Sequence, residues 1–209
     1  MKIGIIGAGN VGATLGARWA VNGHEVKFGM RDPNSPKTAE LLAQIPAATV
    51  GTVVESANFG EVVVLATPWP GAQSAIESAG ELSGKILLDL TNPIKADFTG
   101  LEIGLDTSAG EKVQGWAPTA RVVKIFNTVG NNVMGDAAFN GEPASMFYCG
   151  DDADAKQTAA GLARDLGFDP IDVGPLEQAR MLEPLAWLWI TMALKYGFGR
   201  EIAFNLVRR

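Results

Sequence analysis

The chain opens with Ile3-Gly4-Ile5-Ile6-Gly7-Ala8-Gly9-Asn10-Val11-Gly12. Its glycines have the spacing G-x-G-x-x-G, directly after an apolar run and directly before a stretch of helical periodicity. In such a strand–turn–helix unit Gly7 permits the tight turn, Gly9 lets the backbone approach a pyrophosphate, and Gly12 lets the helix pack on the strand. The helix N-terminus adds free N–H groups and a partial positive charge. The residues expected along a bound dinucleotide are Gly7, Ala8, Gly9, Asn10, Val11 and Gly12.

Short apolar runs and helical stretches alternate along the rest of the chain. The pattern predicts strands at 3–6, 25–28, 49–52, 62–66, 86–90, 122–126, 146–149 and 170–173, and helices at 11–21, 37–44, 71–81, 153–166 and 176–196. Near-continuous apolar strands between helices indicate a mostly parallel sheet that is buried on both faces. We therefore expect an α/β, doubly wound Rossmann domain over 1–174 and a short C-terminal helical segment over 175–209. Segment 92–107, rich in Gly, Asp and Thr, is predicted to be a long loop beside the cofactor crevice.

The end of the second strand bears on which dinucleotide binds. An NAD site usually has Asp or Glu there to bond the ribose hydroxyls, but this strand runs on to Gly29-Met30-Arg31 without an acid. A guanidinium at Arg31 can hold a 2′-phosphate through two hydrogen bonds. The alternative is a solvated turn in which Arg31 pairs with Asp32. We favour NADPH over NADH, with these residues at its phosphate end: Met30, Arg31, Ser35 and Lys37.

Small polar residues follow three further strands of the predicted sheet. In a doubly wound sheet these positions border the ligand crevice, because ligands bind just beyond the carboxyl ends of the strands. Each could equally be an ordinary helix cap or turn residue. The residues that we expect near the nicotinamide ribose are Thr67, Pro68, Asn92, Asn127 and Thr128.

Composition and charge narrow the function classes. The net charge of −6 makes nucleic acid and anionic membrane surfaces poor partners. A single cysteine and a single histidine argue against an internal disulfide and against a metal site. The longest charge-free apolar run, 184–194, is too short to cross a bilayer, and the N-terminal apolar stretch is interrupted by glycines, unlike a signal peptide. We expect a cytoplasmic protein.

Acid–base groups that could serve catalysis are scarce. His24 is predicted in a solvated turn at the far end of the sheet from the glycine turn, and Cys149 ends an apolar strand, where a buried thiol is the usual role. No catalytic residue is predicted. A dehydrogenase that acts on an alcohol needs a proton acceptor, whereas hydride transfer between two flat rings needs only stacking at about 3–3.5 Å. The sequence thus favours a flavin-like acceptor.

The last predicted helix is apolar on both faces. One face carries Leu182, Leu185, Ala186, Trp189, Met192, Ala193 and Tyr196, and the other carries Trp187, Leu188, Ile190 and Leu194. A helix that is apolar all round must be covered on both sides. Core packing alone could supply the cover. We expect instead a homodimer interface that also borders a second ligand.

Motifs occur in order along nearly the whole chain: Ile3–Gly12, Gly29–Arg31, Val122–Gly130, Cys149–Asp152, Asp172–Leu176 with Ala179–Arg180, and Leu182–Leu185. Together they resemble the NADPH:deazaflavin coenzyme F420 oxidoreductases, with the oxidoreductase domain of the six-transmembrane ferric reductases as a related group. The resemblance implies NADP(H) at Gly7, Gly9, Gly12 and Arg31. It also implies a small-molecule redox acceptor, coenzyme F420, FMN or FAD, near Asn127–Gly130 and the C-terminal helix. Two departures are Met30, where the family often has Ser, and Gly130, where it often has Pro.

Two other functions remain open. β-Hydroxyacid dehydrogenases and pyrroline-carboxylate reductases begin with a similar fingerprint, but they need on the order of a hundred helical residues after the sheet. Only residues 175–209 follow the predicted sheet here. The second alternative is an NADP-binding redox sensor without turnover.

Overall fold

A computed structural model describes the whole chain, Met1–Arg209, and its centre is one eight-stranded sheet. The strands are β1 (Lys2–Ile6), β2 (Glu25–Met30), β3 (Thr49–Thr52), β4 (Val62–Leu65), β5 (Ile86–Asp89), β6 (Arg121–Lys124), β9 (Ser145–Gly150) and β10 (Asp169–Asp172), with a separate hairpin of β7 (Ala138–Phe139) and β8 (Glu142–Pro143). The order across the sheet is β10-β9-β6-β5-β4-β1-β2-β3. All neighbours pair in parallel except β6 and β9. The predicted doubly wound, mostly parallel fold is confirmed.

Seven helices lie between the strands, and an eighth follows the last strand. They are α1 (Asn10–Val21), α2 (Pro36–Gln44), α3 (Val53–Phe59), α4 (Ala72–Ala79), α5 (Ala109–Trp116), α6 (Asn131–Gly135), α7 (Ala153–Arg164) and α8 (Ala179–Leu194). The sequence analysis missed α3, α5 and α6, which have only five to eight residues each. So short a segment spans too few turns to establish a helical period. Helix α3 nevertheless carries a local signal: Thr52 and Glu55 form a capping box.

The two faces of the sheet build two separate apolar cores. Along β4, Val62 and Val64 belong to the larger core and Val63 and Leu65 to the smaller one. Successive side chains of a strand point to opposite faces, so the sheet is covered on both sides. Residues of the C-terminal segment, including Leu176 and Leu182, pack into the smaller core.

The C-terminal helix is shorter at both ends than the predicted helix 176–196. Residues Leu176–Gln178 form a 3-10 turn, and α8 ends at Leu194 rather than at Tyr196. Tyr196, which we expected on the buried face, is 73% exposed. On the opposite face Leu188 and Leu194 are exposed, whereas Trp187 and Ile190 are half-buried. None of the helices combines the length and the apolarity that crossing a membrane requires.

Candidate functional site

A crevice with two arms opens at the carboxyl ends of the central strands. One arm, of about 490 Å³, extends from the glycine turn toward the end of β2. The other, of about 310 Å³, extends toward the end of β5. We call them the adenosine-side and the nicotinamide-side cavity, after the halves of the dinucleotide that the sequence predicts there. Both are lined by Gly9, Ala66, Thr67 and Pro68, so they form one elongated groove. In the sheet, β2 and β4 lie on opposite sides of β1, and the groove lies at the carboxyl ends of these strands. Doubly wound sheets bind ligands at this position.

The glycine turn shows why each glycine is present. Gly7 has φ +109°, and a Cβ there would lie 2.7 Å from the carbonyl oxygen of Ala66. A Cβ on Gly12 would overlap the carbonyl oxygen of Gly7. A Cβ on Gly9, in contrast, would meet no protein atom within 4 Å. The fold therefore requires Gly7 and Gly12, while Gly9 leaves open the space that a diphosphate can approach.

Cationic side chains line the adenosine-side cavity. Arg31 and Lys37 both contribute to its wall, beside Gly29 and Met30. The alternative pairing of Arg31 with Asp32 is absent: Asp32 accepts a hydrogen bond from the backbone N–H of Asn34 instead. No carboxylate forms an ion pair with Arg31. This end of the groove is therefore suited to a phosphate.

Two of the predicted phosphate-end residues are turned toward the same neighbour. Ser35 is not part of the cavity wall, and its hydroxyl lies 3.4 Å from that of Thr38. The Thr38 hydroxyl in turn donates to the sulfur of Met30 at 3.4 Å. Ser74 and Ser78 of α4 also line the cavity, and the sequence analysis missed them. Nothing local marks these serines, because only the crossover from β4 brings α4 beside the groove.

The nicotinamide-side cavity has a mixed polar and aromatic wall. Thr67, Pro68 and Asn92 line it as predicted, together with Thr91 and Trp69. Trp69 is held by stacking on Trp116 of α5, with ring centroids 5.3 Å apart. The Thr67 hydroxyl is buried without a protein hydrogen-bond partner. Buried polar groups are almost always bonded, so this hydroxyl is a candidate contact for a ligand.

Asn127 and Thr128, which we expected near the nicotinamide ribose, are buried and are not part of this cavity's wall. Two hydrogen bonds join Asn92 and Asn127: Asn92 Nδ2 donates to the backbone carbonyl of Asn127 at 2.9 Å, and Asn127 Nδ2 donates to Asn92 Oδ1 at 3.0 Å. Asn127 Nδ2 also donates to the carbonyl of Leu182 in α8 at 3.1 Å. Asn127 thus supports Asn92 and connects it to the C-terminal helix.

A fully buried cluster of three charges lies beneath the nicotinamide-side cavity. Lys124 Nζ is 2.9 Å from Asp89 Oδ2 and 2.9 Å from Glu183 Oε1, and all three side chains are 0% exposed. Burial by itself would lower the pKa of Lys124, but Asp89 and Glu183 outweigh it and raise that pKa above its ordinary value. Lys124 is therefore a cation in the folded protein. The sequence analysis did not single out these residues.

The single histidine and the single cysteine lie away from the groove. His24 is not a solvated turn residue as expected: its side chain is 12% exposed, and Nε2 lies 3.0 Å from Asp165 Oδ2. Cys149 is buried, and burial raises the pKa of its thiol to about 12. No group of three or more His, Cys, Asp or Glu side chains is placed to hold a metal ion. Neither His24 nor Cys149 is therefore placed to act on a ligand in the groove.

Known proteins match the chain in sequence and in fold. Residues 2–93 match the family described as NADP oxidoreductase, coenzyme F420-dependent. The F420-dependent NADP reductase of Methanocaldococcus jannaschii is 32% identical, with 94% of each chain covered. Metalloreductase STEAP3 of Rattus norvegicus is 30% identical over 99% of this chain, which spans 42% of that relative's length. A crystal structure from Arthrobacter sp. FB24, provisionally assigned as an F420-dependent NADP reductase, has a TM-score of 0.91 at 34% identity, with both chains fully covered.

The family resemblance in the sequence is thus confirmed over nearly the full length of the chain, and it agrees with the groove at the glycine turn. The chain belongs to the coenzyme F420-dependent NADP oxidoreductases.

Proposed function

We propose that the protein is an NADPH-dependent oxidoreductase that transfers a hydride between NADP(H) and a deazaflavin, coenzyme F420, with FMN or FAD as alternative acceptors. One observation carries the proposal. A single groove has unpaired cations at one end and, at the other, an aromatic and amide wall without a general base. A dinucleotide with a 2′-phosphate fits the first end. The second end suits a reaction between two rings, which needs alignment rather than proton transfer.

The residues of this chain would hold the dinucleotide in three places. The backbone N–H groups at the start of α1, with Gly9 giving access, would bind the diphosphate. Arg31 would bind the 2′-phosphate, with Lys37 adding charge. Thr67, Pro68 and Asn92 would border the nicotinamide, with Asn127 and Thr128 behind them. When bound, NADPH supplies the hydride, while the protein aligns the rings and excludes water.

We further infer that residues 1–174 form the NADP-binding domain and that segment 175–209 serves the acceptor and a homodimer. Exposed apolar side chains support the dimer: Leu188 and Leu194 on α8 and Tyr196 just beyond it. Phe98 is 54% exposed and is held close by, because Lys195 Nζ donates to its carbonyl at 3.1 Å. A dimer through this segment would remove these large apolar side chains from water.

The cell compartment and the excluded partners are also part of the proposal. A net charge of −6 disfavours nucleic acid and anionic membrane surfaces. A protein that exchanges hydride between small soluble cofactors is best placed in the cytoplasm.

The decisive experiment incubates the protein with NADPH and, separately, with coenzyme F420, FMN, FAD and a ferric chelate, and follows the loss of nicotinamide absorbance. We expect the fastest oxidation with F420 and little with NADH as donor. Preferred turnover of FMN or FAD would move the acceptor from a deazaflavin to a flavin. Tight NADPH binding without oxidation by any acceptor would favour the redox-sensor alternative.

A further inference from the structure

The three-charge cluster of Asp89, Lys124 and Glu183 satisfies every charge that it buries. Besides Lys124, Glu183 accepts hydrogen bonds from the backbone N–H groups of Ala109 (2.9 Å) and Gly110 (3.1 Å) at the start of α5. Removing three charges from water is costly, and well-packed apolar residues often stabilise a fold as well as a buried ion pair does. A contribution to stability is therefore a weak explanation for the presence of this cluster. Its role is better sought in what it holds in place.

What the cluster holds is Thr91, which lines the nicotinamide-side cavity. Asp89 Oδ1 accepts from the Thr91 backbone N–H at 2.9 Å and from its hydroxyl at 2.7 Å, and Lys124 donates to the Thr91 carbonyl. All the polar groups of Thr91 are thus bound to the cluster. The next residue, Asn92, is held by Asn127, whose amide is bonded to Leu182. Two consecutive residues of α8 therefore support two consecutive residues of the cavity wall.

We propose that Glu183, acting through Lys124, is a positioning residue that fixes Thr91, and through Thr91 the adjoining Asn92, as the floor of the nicotinamide-side cavity. The inference deepens the proposed function, because the floor would set the height of the nicotinamide ring relative to the acceptor. Displacing a reacting atom by about 1 Å costs on the order of a hundredfold in rate. The adenosine-side cavity contains none of these residues, so its ligand contacts are independent of the cluster.

The competing explanation is that Glu183 merely docks α8 on the rest of the fold, and the chain offers a matched control for it. Arg180, in the same helix, forms a two-point ion pair with Glu111 of α5 at 2.7 and 3.0 Å. This pair joins α8 to α5, as Glu183 does, but neither side chain bonds Thr91 or Asn92. Glu111→Gln therefore weakens helix docking without touching the floor.

The experiment compares Glu183→Gln with Glu111→Gln. Glutamine keeps the size of Glu183 but places an NH₂ donor against Lys124 or against the N–H groups of α5. For Glu183→Gln we expect at least a tenfold fall in kcat with NADPH and F420, with affinity for adenosine 2′,5′-bisphosphate, which fills only the adenosine side, within twofold of wild type. The fluorescence enhancement of bound NADPH should also fall, because the ring is held less rigidly. Glu111→Gln should leave kcat, affinity and fluorescence within twofold.

Equal losses of kcat in both variants, or an unchanged kcat and NADPH fluorescence in Glu183→Gln, would overturn the inference. Thr91→Val keeps the ion cluster but cuts the hydroxyl bond to Asp89, so it supplies the same comparison if Glu183→Gln does not fold. A wild type that turns over no acceptor would defeat the proposed function instead. In that case the NADPH fluorescence and the bisphosphate affinity still decide whether Glu183 sets the floor.

Discussion

The guanidinium of Arg31, which lines the adenosine-side cavity, lies beside Gly71: a Cβ built on Gly71 would be 3.9 Å from Arg31 Nη2. Arg31 follows β2, whereas Gly71 immediately precedes α4. The cation thus spans the gap between two segments that are far apart in sequence, and it forms no ion pair there. Its charge remains available to a phosphate in the cavity.

This arrangement makes Arg31 the residue that should distinguish NADPH from NADH. Arg31→Ala should weaken NADPH binding by about 1.5–3 kcal/mol, the range for a hydrogen bond to a charged group. NADH has no 2′-phosphate, so its affinity should hardly change. Titration calorimetry with both dinucleotides measures the difference, and Lys37→Ala should show the same selectivity with a smaller loss. Equal losses for NADPH and NADH would remove Arg31 from the phosphate site.

A side chain at Gly9 should leave the protein folded but prevent dinucleotide binding. Its added Cβ meets no protein atom, so Gly9→Val should unfold at nearly the wild-type temperature while dinucleotide binding is lost. Gly12→Ala is the contrasting variant, because its Cβ overlaps the Gly7 carbonyl and should lower the melting temperature itself. Thermal unfolding and NADPH titration of the two proteins separate the effects. Wild-type NADPH affinity in Gly9→Val would place the dinucleotide elsewhere.

The elements that the sequence predicted best are those with a local cause. The glycine turn depends on ten consecutive residues, so the sequence could predict the position of the groove. Strands β4 and β5 are short apolar runs, so it could also predict a mostly parallel, buried sheet. Arg31 could be predicted to line the groove because it directly follows Met30, the last residue of β2.

The residues that escaped prediction depend on contacts between distant segments. In the sequence, Lys124 resembles an ordinary charged residue at the end of an apolar run. It is fully buried because it pairs with Asp89, on the neighbouring strand, and with Glu183, which lies 59 residues further along the chain, from 124 to 183. Trp69, in the wall of the nicotinamide-side cavity, is held by stacking on Trp116, which is distant in sequence. Gly130 is likewise confined by a distant segment, because a Cβ there would lie 2.8 Å from the indole of Trp189.

The Arg180–Glu111 pair should contribute to stability only above the acid range. The hydrogen bonds from Arg180 are the main cause that lowers the pKa of Glu111 below its ordinary value of 4.5. A carboxyl whose pKa is lower in the folded state stabilises the fold at pH above its unfolded pKa, and this contribution disappears as the pH falls through the folded value. We therefore expect Glu111→Gln to be less stable than wild type by about 1 kcal/mol or less near pH 7.

Urea denaturation of wild type and Glu111→Gln over a pH series checks the sign. The difference in unfolding free energy should stay constant above pH 4.5 or so and shrink as the pH is lowered further. A difference that is the same at acid and neutral pH would mean that the carboxylate charge is not what holds α5 and α8 together.

The exposed apolar side chains of α8 lead to the last prediction, that the protein is a homodimer through this helix. Leu188 is 49% exposed and Leu194 is 61% exposed, six residues further along the same helix. Burying one large apolar side chain contributes about 1.5–3 kcal/mol, and a twofold interface uses each residue twice. Leu188→Glu should therefore dissociate the dimer, whereas Val21→Glu, at an 80% exposed position on α1, should not. Light scattering at several concentrations measures both. A wild type that stays monomeric at high concentration would defeat the dimer, and a monomeric Leu188→Glu with full hydride transfer would show that the interface plays no part in the acceptor site.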